Sequence, residues 1–334
     1  MIEKKKALII GCGKLFQTVH LKNIEKFYKI EILLDPRPKL LQNILKKNVS
    51  IKRFTSLKSL FNFKKKFDTV FNISSRTSSY KILKKFIPVT KTIFSEKPGV
   101  FNLNQAREIK KIKSKFQTKI LFGYMSRYDK NVVILKNILK KKKLENLIKS
   151  NFYISNNNLY SPKKKHFNSL EKKDFSFAKP NFPKHIKKNF RVNYQIFINR
   201  YSHLINLINF LTPIIYIKDF KILDKYNYSA SFITKKNKLI TSSFSNKGDY
   251  LIKVYLEFHD CCITLKLYNP LKNRHSKLSI INKKTRKKIY FKSYTDIFLE
   301  EIRSINSKKN THCRSKCNEL LKEFRLINNL WYKV

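Results

Sequence analysis

Glycine is scarce in this chain, which has five glycines in 334 residues. Because the composition disfavours glycine, the places where it does occur point to tight turns and close backbone approaches. Long apolar runs are also lacking, and no stretch approaches the roughly 18 apolar residues of a membrane-spanning helix. The run Ala7–Ile10, although preceded by lysines, is too short for the core of a signal peptide. We therefore expect a chain without a membrane span.

Acidic residues are few, at 21 against 74 lysines and arginines, and the formal net charge is +53. Only 12 of those 74 basic residues are arginines, although phosphate and base recognition favour arginine. The excess is also spread along the whole chain rather than collected in one tail. We interpret it mainly as a composition bias on solvated surfaces and expect no specific nucleic-acid partner. Nucleic-acid binding and attraction of anionic substrates are the alternatives.

Cysteine forms no recognisable pattern. The five cysteines show no paired spacing of a disulfide framework, and a chain of this length does not need one. His312, Cys313 and Cys317 are faintly similar to metal ligands, but the second pair of a four-ligand set is missing nearby. We therefore expect a cytoplasmic protein with no metal site. The cysteines are Cys12, Cys261, Cys262, Cys313 and Cys317.

The length predicts two domains. Residues 1–123 alternate apolar runs with amphipathic stretches, which is typical of an α/β domain with a doubly wound parallel sheet of the Rossmann type. Residues 124–334 have longer, aromatic-rich strands, which predict an α+β domain with a mostly antiparallel open sheet. Within it, residues 155–190 are rich in lysine, asparagine and proline and predict a long loop or insertion. Residues 294–334 are predicted to be helical.

The periodicity also places individual elements. In the second domain it predicts a helix at Tyr201–Leu211 and antiparallel strands within residues 218–292. In the first domain the predicted strands are Ala7–Ile10, Ile30–Leu34, Asp68–Ile73, Thr92–Ser95 and Ile120–Gly123, with helices near Leu15–Phe27, after Pro38, near Ser79–Phe86 and from Asn104.

Gly11-Cys12-Gly13 directly follows the first predicted strand. Two glycines there allow a tight turn and let the backbone approach a pyrophosphate at a helix N-terminus. Asp35 ends the second strand, where a carboxylate accepts hydrogen bonds from the adenosine ribose, and it favours NAD. Arg37 offers a partner for a 2′-phosphate, so NADP stays open. The alternative is an ordinary strand–turn–helix with an acidic residue by chance.

The third position of this glycine pattern is Phe16 rather than glycine or alanine. A small residue there normally permits close packing of helix against strand. A phenyl ring predicts a displaced helix or a narrowed phosphate site, with a consequence for cofactor affinity.

At Ser95-Glu96-Lys97-Pro98-Gly99 the chain resembles the Gfo/Idh/MocA family of oxidoreductases, named after glucose-fructose oxidoreductase and inositol dehydrogenase. The turn at residues 11–21, the strand at 68–75 and the segment at 122–129 are similar to the same family. The resemblance is clear over residues 6–136, returns over 194–211 and is faint over the last forty residues.

The resemblance implies that Lys97 lies beside the nicotinamide and the substrate hydroxyl. A cation there stabilises developing oxyanion charge or relays a proton during hydride transfer. It implies a cis bond before Pro98, and substrate contacts from Arg127 and Tyr128. The cofactor-binding residues that it implies, with the glycine turn, are Gly11, Gly13, Lys14, Leu15, Phe16, Asp35, Arg37, Ser74, Glu96 and Lys97.

The family's second signature is an aspartate four residues before a histidine. His203 matches the histidine, but Asn199 stands where the aspartate is expected. An amide orients a hydroxyl but does not exchange a proton as a carboxylate does. The outcomes are catalysis by Lys97 and His203 with Asn199 as orienting group, an altered reaction, or lost catalysis. The alternative is that His203 only caps an apolar helix.

The resemblance thus implies an NAD(P)-dependent oxidoreductase acting on a sugar, nucleotide sugar or cyclitol, with surface-polysaccharide synthesis as one setting. The second hypothesis is a non-catalytic, dinucleotide-binding regulatory protein of the same fold, to which Phe16 and Asn199 point. Because relatives often pair through their second-domain sheets, the resemblance also implies a homo-oligomer.

Overall fold

The computed structural model describes residues 4–46, 48–156, 166–167, 169–171, 180–272, 274–307 and 313–334. The chain forms two compact units. Unit 1 comprises the described residues of 1–124, 162–182 and 301–321. Unit 2 comprises those of 125–161, 183–300 and 322–334.

Unit 1 is built on a six-stranded parallel sheet with the order β3-β2-β1-β4-β5-β6. The predicted α/β class and Rossmann-type sheet are confirmed. Its strands are β1 (Lys5–Ile10), β2 (Tyr28–Leu34), β3 (Lys52–Phe54), β4 (Phe67–Asn72), β5 (Thr90–Glu96) and β6 (Lys119–Gly123). Its helices are α1 (Leu21–Phe27), α2 (Pro38–Asn43), α3 (Leu57–Phe63), α4 (Arg76–Phe86) and α5 (Leu103–Ser114).

The strands of unit 1 read as apolar runs because both faces of a parallel sheet are covered. Ala7–Ile10 in β1 is buried throughout, and Phe71 on β4 and Phe94 on β5 lie in the same core. Because the strands are parallel, their carboxyl ends all lie at one edge of the sheet. The edge carries the turns after β1, β2, β4 and β5, where the residues of interest lie.

Unit 2 contains an eight-stranded sheet with the order β14-β13-β12-β11-β7-β10-β9-β8. All its pairs are antiparallel except β7 with β10, which confirms the mostly antiparallel sheet. Its strands are β7 (Leu147–Ser155), β8 (Ile214–Ile222), β9 (Tyr228–Thr234), β10 (Leu239–Ser245), β11 (Leu251–Phe258), β12 (Cys261–Tyr268), β13 (Ser276–Asn282) and β14 (Lys288–Ser293).

The helices α6 (Lys130–Lys141), α7 (Arg191–Arg200) and α8 (Ser202–Leu211) belong to unit 2. The later helices α9 (Ile297–Asn306) and α10 (Cys317–Trp331) contribute residues to both units. The core of unit 2 is rich in aromatic rings, which come both from the inward-facing positions of its strands and from its helices. These rings include Tyr194, Phe197, Tyr201, Phe220, Tyr228, Phe244 and Trp331.

Much of the predicted loop at residues 155–190 lies outside the described residues. Where the structure describes it, residues 156, 166–167, 169–171 and 180–187 belong to no helix or strand. Among all described residues, none of the helices combines the length and apolar character needed to cross a membrane.

Candidate functional site

The turn after β1 requires glycine at its first position. Gly11 has a φ of +89°, and a Cβ added to it would lie 2.6 Å from the main-chain N and Cα of Ser74. No side chain fits there, because both the backbone conformation and the space exclude it. Gly11 thereby lets the turn after β4 approach the turn after β1.

Gly13, unlike Gly11, has room for a Cβ among the described residues, because its surroundings are open. Within 4 Å of a Cβ added to Gly13, the described residues place a single atom, Arg37 Nη2 at 3.5 Å. The next residue, Lys14, is exposed and begins the helical segment, and Leu15 is half-buried. An open backbone surface at a helix start is the cradle that a pyrophosphate needs. The residues present therefore fit the predicted dinucleotide.

Phe16 is accommodated by a change in helix type. Residues Phe16–His20 form a π-helical turn before α1, and the Phe16 ring is fully buried in the unit 1 core with Ile24 and Phe71. A π-turn is wider than an α-turn and is frequently found at functional sites. The displaced helix or narrowed phosphate site that Phe16 predicts stays a prediction.

Asp35 and Arg37 form a buried ion pair at the end of β2. Arg37 Nε and Nη2 donate to the two carboxylate oxygens at 2.7 and 2.8 Å. The same carboxylate accepts the Cys12 N–H at 2.8 Å, which ties it to the glycine turn. The bond to Asp35 raises the pKa of Arg37, and burial raises the pKa of the Cys12 thiol well above its usual value. A ribose hydroxyl both donates and accepts, so this pair has the chemistry to hold it.

Lys97 follows β5 and is buried, with 8% of its surface exposed. Its N–H donates to Glu96 Oε2 at 3.1 Å, and the Lys97–Pro98 bond is cis, as the resemblance implies. The other oxygen of Glu96 lies 2.7 Å from His20 Nε2. His20 and Glu96 are both buried, so they fix the main chain from which Lys97 extends.

His20 was not predicted as a functional residue. It contacts Glu96 across 76 residues of sequence, and no local pattern links the two. Asn72 is another residue that sequence reasoning missed. It accepts a hydrogen bond from the Ser74 hydroxyl at 2.6 Å and donates one to Ser95 Oγ at 3.0 Å. Asn72 thus connects the carboxyl ends of β4 and β5 next to the predicted cofactor residue Ser74.

The predicted substrate residues of unit 2 are buried. Arg127 is 3% exposed, and its Nε donates to Asn206 Oδ1 at 2.6 Å, with its guanidinium 4.8 Å above the Phe210 ring. Asn206 in turn donates to Glu323 Oε2 at 2.8 Å. Tyr128 is 6% exposed.

His203 lies in α8 one turn before Asn206, and it is 2% exposed. Asn199 lies near the end of α7 and is half-buried. The two helices are separated only by Tyr201, whose N–H donates to Phe197 O at 2.8 Å. The two residues, four positions apart in the sequence, therefore lie on successive helices that are separated by a single residue.

Comparison with known proteins identifies a family for the segment that contains the glycine turn and Lys97. Residues 5–124 match the Gfo/Idh/MocA model, described as an oxidoreductase family with an NAD-binding Rossmann fold. This segment belongs to the Gfo/Idh/MocA oxidoreductase family. The match confirms the predicted family and the NAD-binding character of the first domain. A comparison with curated proteins finds no match to the chain.

Solved structures of other proteins resemble the fold over nearly the whole chain. KijD10, a 3-ketoreductase from Actinomadura kijaniata in complex with NADP and TDP-benzene, aligns with a TM-score of 0.69 at 11% identity, covering 98% of this chain and 96% of that one. A dehydrogenase from Clostridium difficile aligns with a TM-score of 0.70 at 18% identity, covering 99% and 100%. The transcriptional regulator Gal80p from Kluyveromyces lactis aligns with a TM-score of 0.73 at 12% identity, covering 99% and 92%. At these identities the likeness shows the fold alone.

Proposed function

We propose that this chain is an NAD(P)-dependent oxidoreductase that transfers a hydride between the nicotinamide and a carbinol or carbonyl carbon of a sugar, nucleotide sugar or cyclitol. One observation carries the proposal above the others. A buried lysine, Lys97, directly follows a strand of an NAD-binding Rossmann sheet, and its main chain is fixed by the Glu96–His20 pair. Surface-polysaccharide synthesis is one setting for such a reaction.

The residues of the glycine turn bind the cofactor in this proposal. Gly13, Lys14, Leu15 and Phe16 present the helix start to the pyrophosphate, while the Asp35–Arg37 pair holds the adenosine ribose. When bound, the nicotinamide supplies or accepts the hydride. Ser74 and Glu96 belong to the turns that flank the cofactor.

Lys97 acts on the oxygen of the reacting carbon. Its ammonium stabilises the negative charge that develops on that oxygen when a carbonyl is reduced, and it donates the proton that completes the alcohol. In the oxidising direction the neutral amine of Lys97 accepts that proton from the alcohol and becomes the ammonium. Burial strengthens this interaction, because fewer water molecules compete for the charge.

The residues of unit 2 serve the substrate. We assign His203 as the second proton-transfer group and Asn199 as an orienting group, since an amide holds a hydroxyl without exchanging a proton. Arg127 is committed to Asn206 on α8, which supports a role in positioning the helix that carries His203. Tyr128, the next residue, remains a proposed substrate contact.

The second candidate is a dinucleotide-binding regulatory protein without turnover. Asn199 in place of a carboxylate favours it, and the fold of a transcriptional regulator is among the similar structures. A homo-oligomer and a cytoplasmic location complete the proposal. They rest on the resemblance and on the cysteine usage, respectively.

The test is turnover by the full chain, followed as nicotinamide absorbance with a panel of sugars, nucleotide sugars and cyclitols. Lys97→Met is expected to lower kcat by about 100-fold or more, which is the scale of a lost acid–base group. Lys91→Met is the matched control, because Lys91 lies on β5, the strand that Lys97 follows, but is exposed and paired with Asp68.

A chain that binds the dinucleotide yet turns over no member of the panel would favour the regulatory candidate. Equal residual rates in the parent and Lys97→Met would do the same.

A further inference from the structure

The loop after β2 bears on which dinucleotide this site accepts. NADP differs from NAD by a phosphate on the 2′ position of the adenosine ribose, and Rossmann domains read that position at the end of the second strand. A loop that holds this phosphate must offer it available positive charge or N–H donors. In this chain the loop is Asp35-Pro36-Arg37-Pro38-Lys39-Leu40.

The loop carries two cations, and a carboxylate lies beside each: Arg37 pairs with Asp35, and the charge of the exposed Lys39 acts on Glu171. The Arg37 guanidinium donates two hydrogen bonds to the Asp35 carboxylate, and the Asp35 side chain is 2% exposed. A phosphate that drew Arg37 away would leave this carboxylate buried without its cation, which is strongly unfavourable. The arginine that the sequence offers to a 2′-phosphate is therefore committed to the carboxylate beside it.

The main-chain donors of this described loop are also in use. Its two prolines supply none, because the ring nitrogen carries no hydrogen. A phosphate would therefore have to displace a bond that already exists. Apart from two bonds to Glu171, these are Asp35 N to Phe54 O at 3.1 Å and Arg37 N to Asp35 Oδ1 at 3.2 Å.

Glu171 takes the remaining two donors. Its carboxylate accepts the N–H of Lys39 at 3.1 Å and the N–H of Leu40 at 3.2 Å, although it lies more than 130 positions later in the chain. Its charge also acts on Arg37. Glu171 thus puts a second carboxylate beside the loop, on the N–H groups that an anion would otherwise use.

Glu171 is itself held in place. The Ser169 hydroxyl donates to one oxygen of its carboxylate. Four residues earlier in the chain, the main chain of Phe167 pairs in both directions with the Gln17 amide, at 2.9 and 3.1 Å. Gln17 also donates to Cys12 O at 3.0 Å. The segment that carries Glu171 is therefore bonded to the glycine turn as well as to the loop after β2.

The carboxylate of Glu171 is charged at neutral pH. Desolvation alone would raise its pKa, but the bonds from Ser169 and from the main chain of Lys39 and Leu40 outweigh it and lower the pKa below the usual value. A dianionic phosphate placed beside this group and Asp35 meets repulsion from both.

We propose that Glu171, together with the Asp35–Arg37 pair, makes this site select NAD and reject NADP. The inference rests on the proposed dinucleotide binding and adds a specificity-determining residue from a distant part of the chain. In this proposal Asp35 binds the ribose hydroxyls. Glu171 occupies the N–H groups of Lys39 and Leu40, and its charge repels a 2′-phosphate.

The test is calorimetric titration of the full chain with NAD and with NADP, in the parent and in Glu171→Gln. Glutamine removes the charge and keeps one acceptor oxygen, while its NH2 group replaces the second oxygen and frees one of the two N–H groups. The parent is expected to bind NAD at least about tenfold more tightly than NADP, since one nearby unit charge shifts equilibria by about this factor or more. Glu171→Gln is expected to raise NADP affinity by about tenfold and to leave NAD affinity within about twofold.

Glu145→Gln is the matched control, because it removes a carboxylate of unit 2 that pairs with Lys236 at the surface. It should change neither affinity. A parent that binds NADP as tightly as NAD overturns this inference alone, as does a Glu171→Gln variant whose two affinities change together. A folded parent that binds neither dinucleotide overturns the proposed function and this inference with it.

Discussion

Glu301 is a buried carboxyl group in α9 with no obvious role in the site. It is 2% exposed, and one of its oxygens has no hydrogen-bond partner among the described residues. Burial raises its pKa well above the usual value, and the charge of Glu96 raises it further. Glu301 is therefore protonated in the folded chain over a pH range in which an exposed glutamate is ionised.

This raised pKa makes stability depend on pH. Between the usual glutamate pKa and the raised one, the folded chain binds one more proton than the unfolded chain, so stability falls as pH rises. We predict that Glu301→Gln removes this loss. Its advantage over the parent should grow by up to about 1.4 kcal/mol per pH unit between the usual glutamate pKa and the raised one. Urea unfolding at pH 5, 6 and 7 measures the difference.

Glu300→Gln is the control for this prediction, because Glu300 is the preceding residue of α9 and is partly exposed. Its stability should stay parallel to that of the parent. A constant difference between Glu301→Gln and the parent across the three pH values would contradict the predicted protonation.

Single residues were predictable from the sequence where a local pattern marks them. Gly11 and Gly13 follow an apolar strand, and Lys97 lies between glutamate and proline, so each stands in a recognisable context. His20 and Glu171 could not be found in this way, because their partners lie 76 and more than 130 positions away. Only the folded sheet brings such side chains together.

At the scale of elements, the outer side of the unit 2 sheet carries an unusual row of charge. Lys253, Lys266, Lys277 and Lys292 lie directly opposite one another on β11, β12, β13 and β14. Like charges in direct cross-strand register destabilise a sheet. A chain with 53 more basic than acidic residues cannot give every lysine a carboxylate partner.

We predict that Lys266→Glu stabilises unit 2. A glutamate there faces Lys253 on one side and Lys277 on the other, and each opposite-charge pair contributes about 0.2–1 kcal/mol. Thermal unfolding at low salt should show a higher midpoint than the parent, with the gain shrinking as salt is added.

Lys288→Glu is the matched control, because Lys288 lies on β14 opposite Ile281 and faces no lysine directly. Equal gains for both variants would mean that the lower net charge, and not the register, is responsible.

Elements were predictable where they are long and periodic. The sequence predicted β1, β2, β4, β5 and β6 to within about two residues, because both of their faces are buried and their apolar runs are uninterrupted. It missed β3 and α3, whose lengths are three and seven residues. Such short segments carry too few positions for a period to show.

At the scale of the whole molecule, the fold withstands a strongly biased composition. Similar solved structures cover 98% or more of the chain at 11–18% identity. The chain is rich in lysine, but apolar residues fill the core of each unit, and the pattern of apolar positions decides the fold class. In the proposed function, substrate identity depends instead on a few side chains of unit 2, which no periodicity reveals.

The central claim is that a nicotinamide dinucleotide lies across the glycine turn after β1. The most direct measurement is fluorescence titration of NADH with the full chain and with Gly13→Val. The account predicts saturable 1:1 binding that valine abolishes without unfolding the chain, because a Cβ at Gly13 meets one described atom, at 3.5 Å. Absence of NADH binding by the folded parent, or equal binding by Gly13→Val, would contradict it.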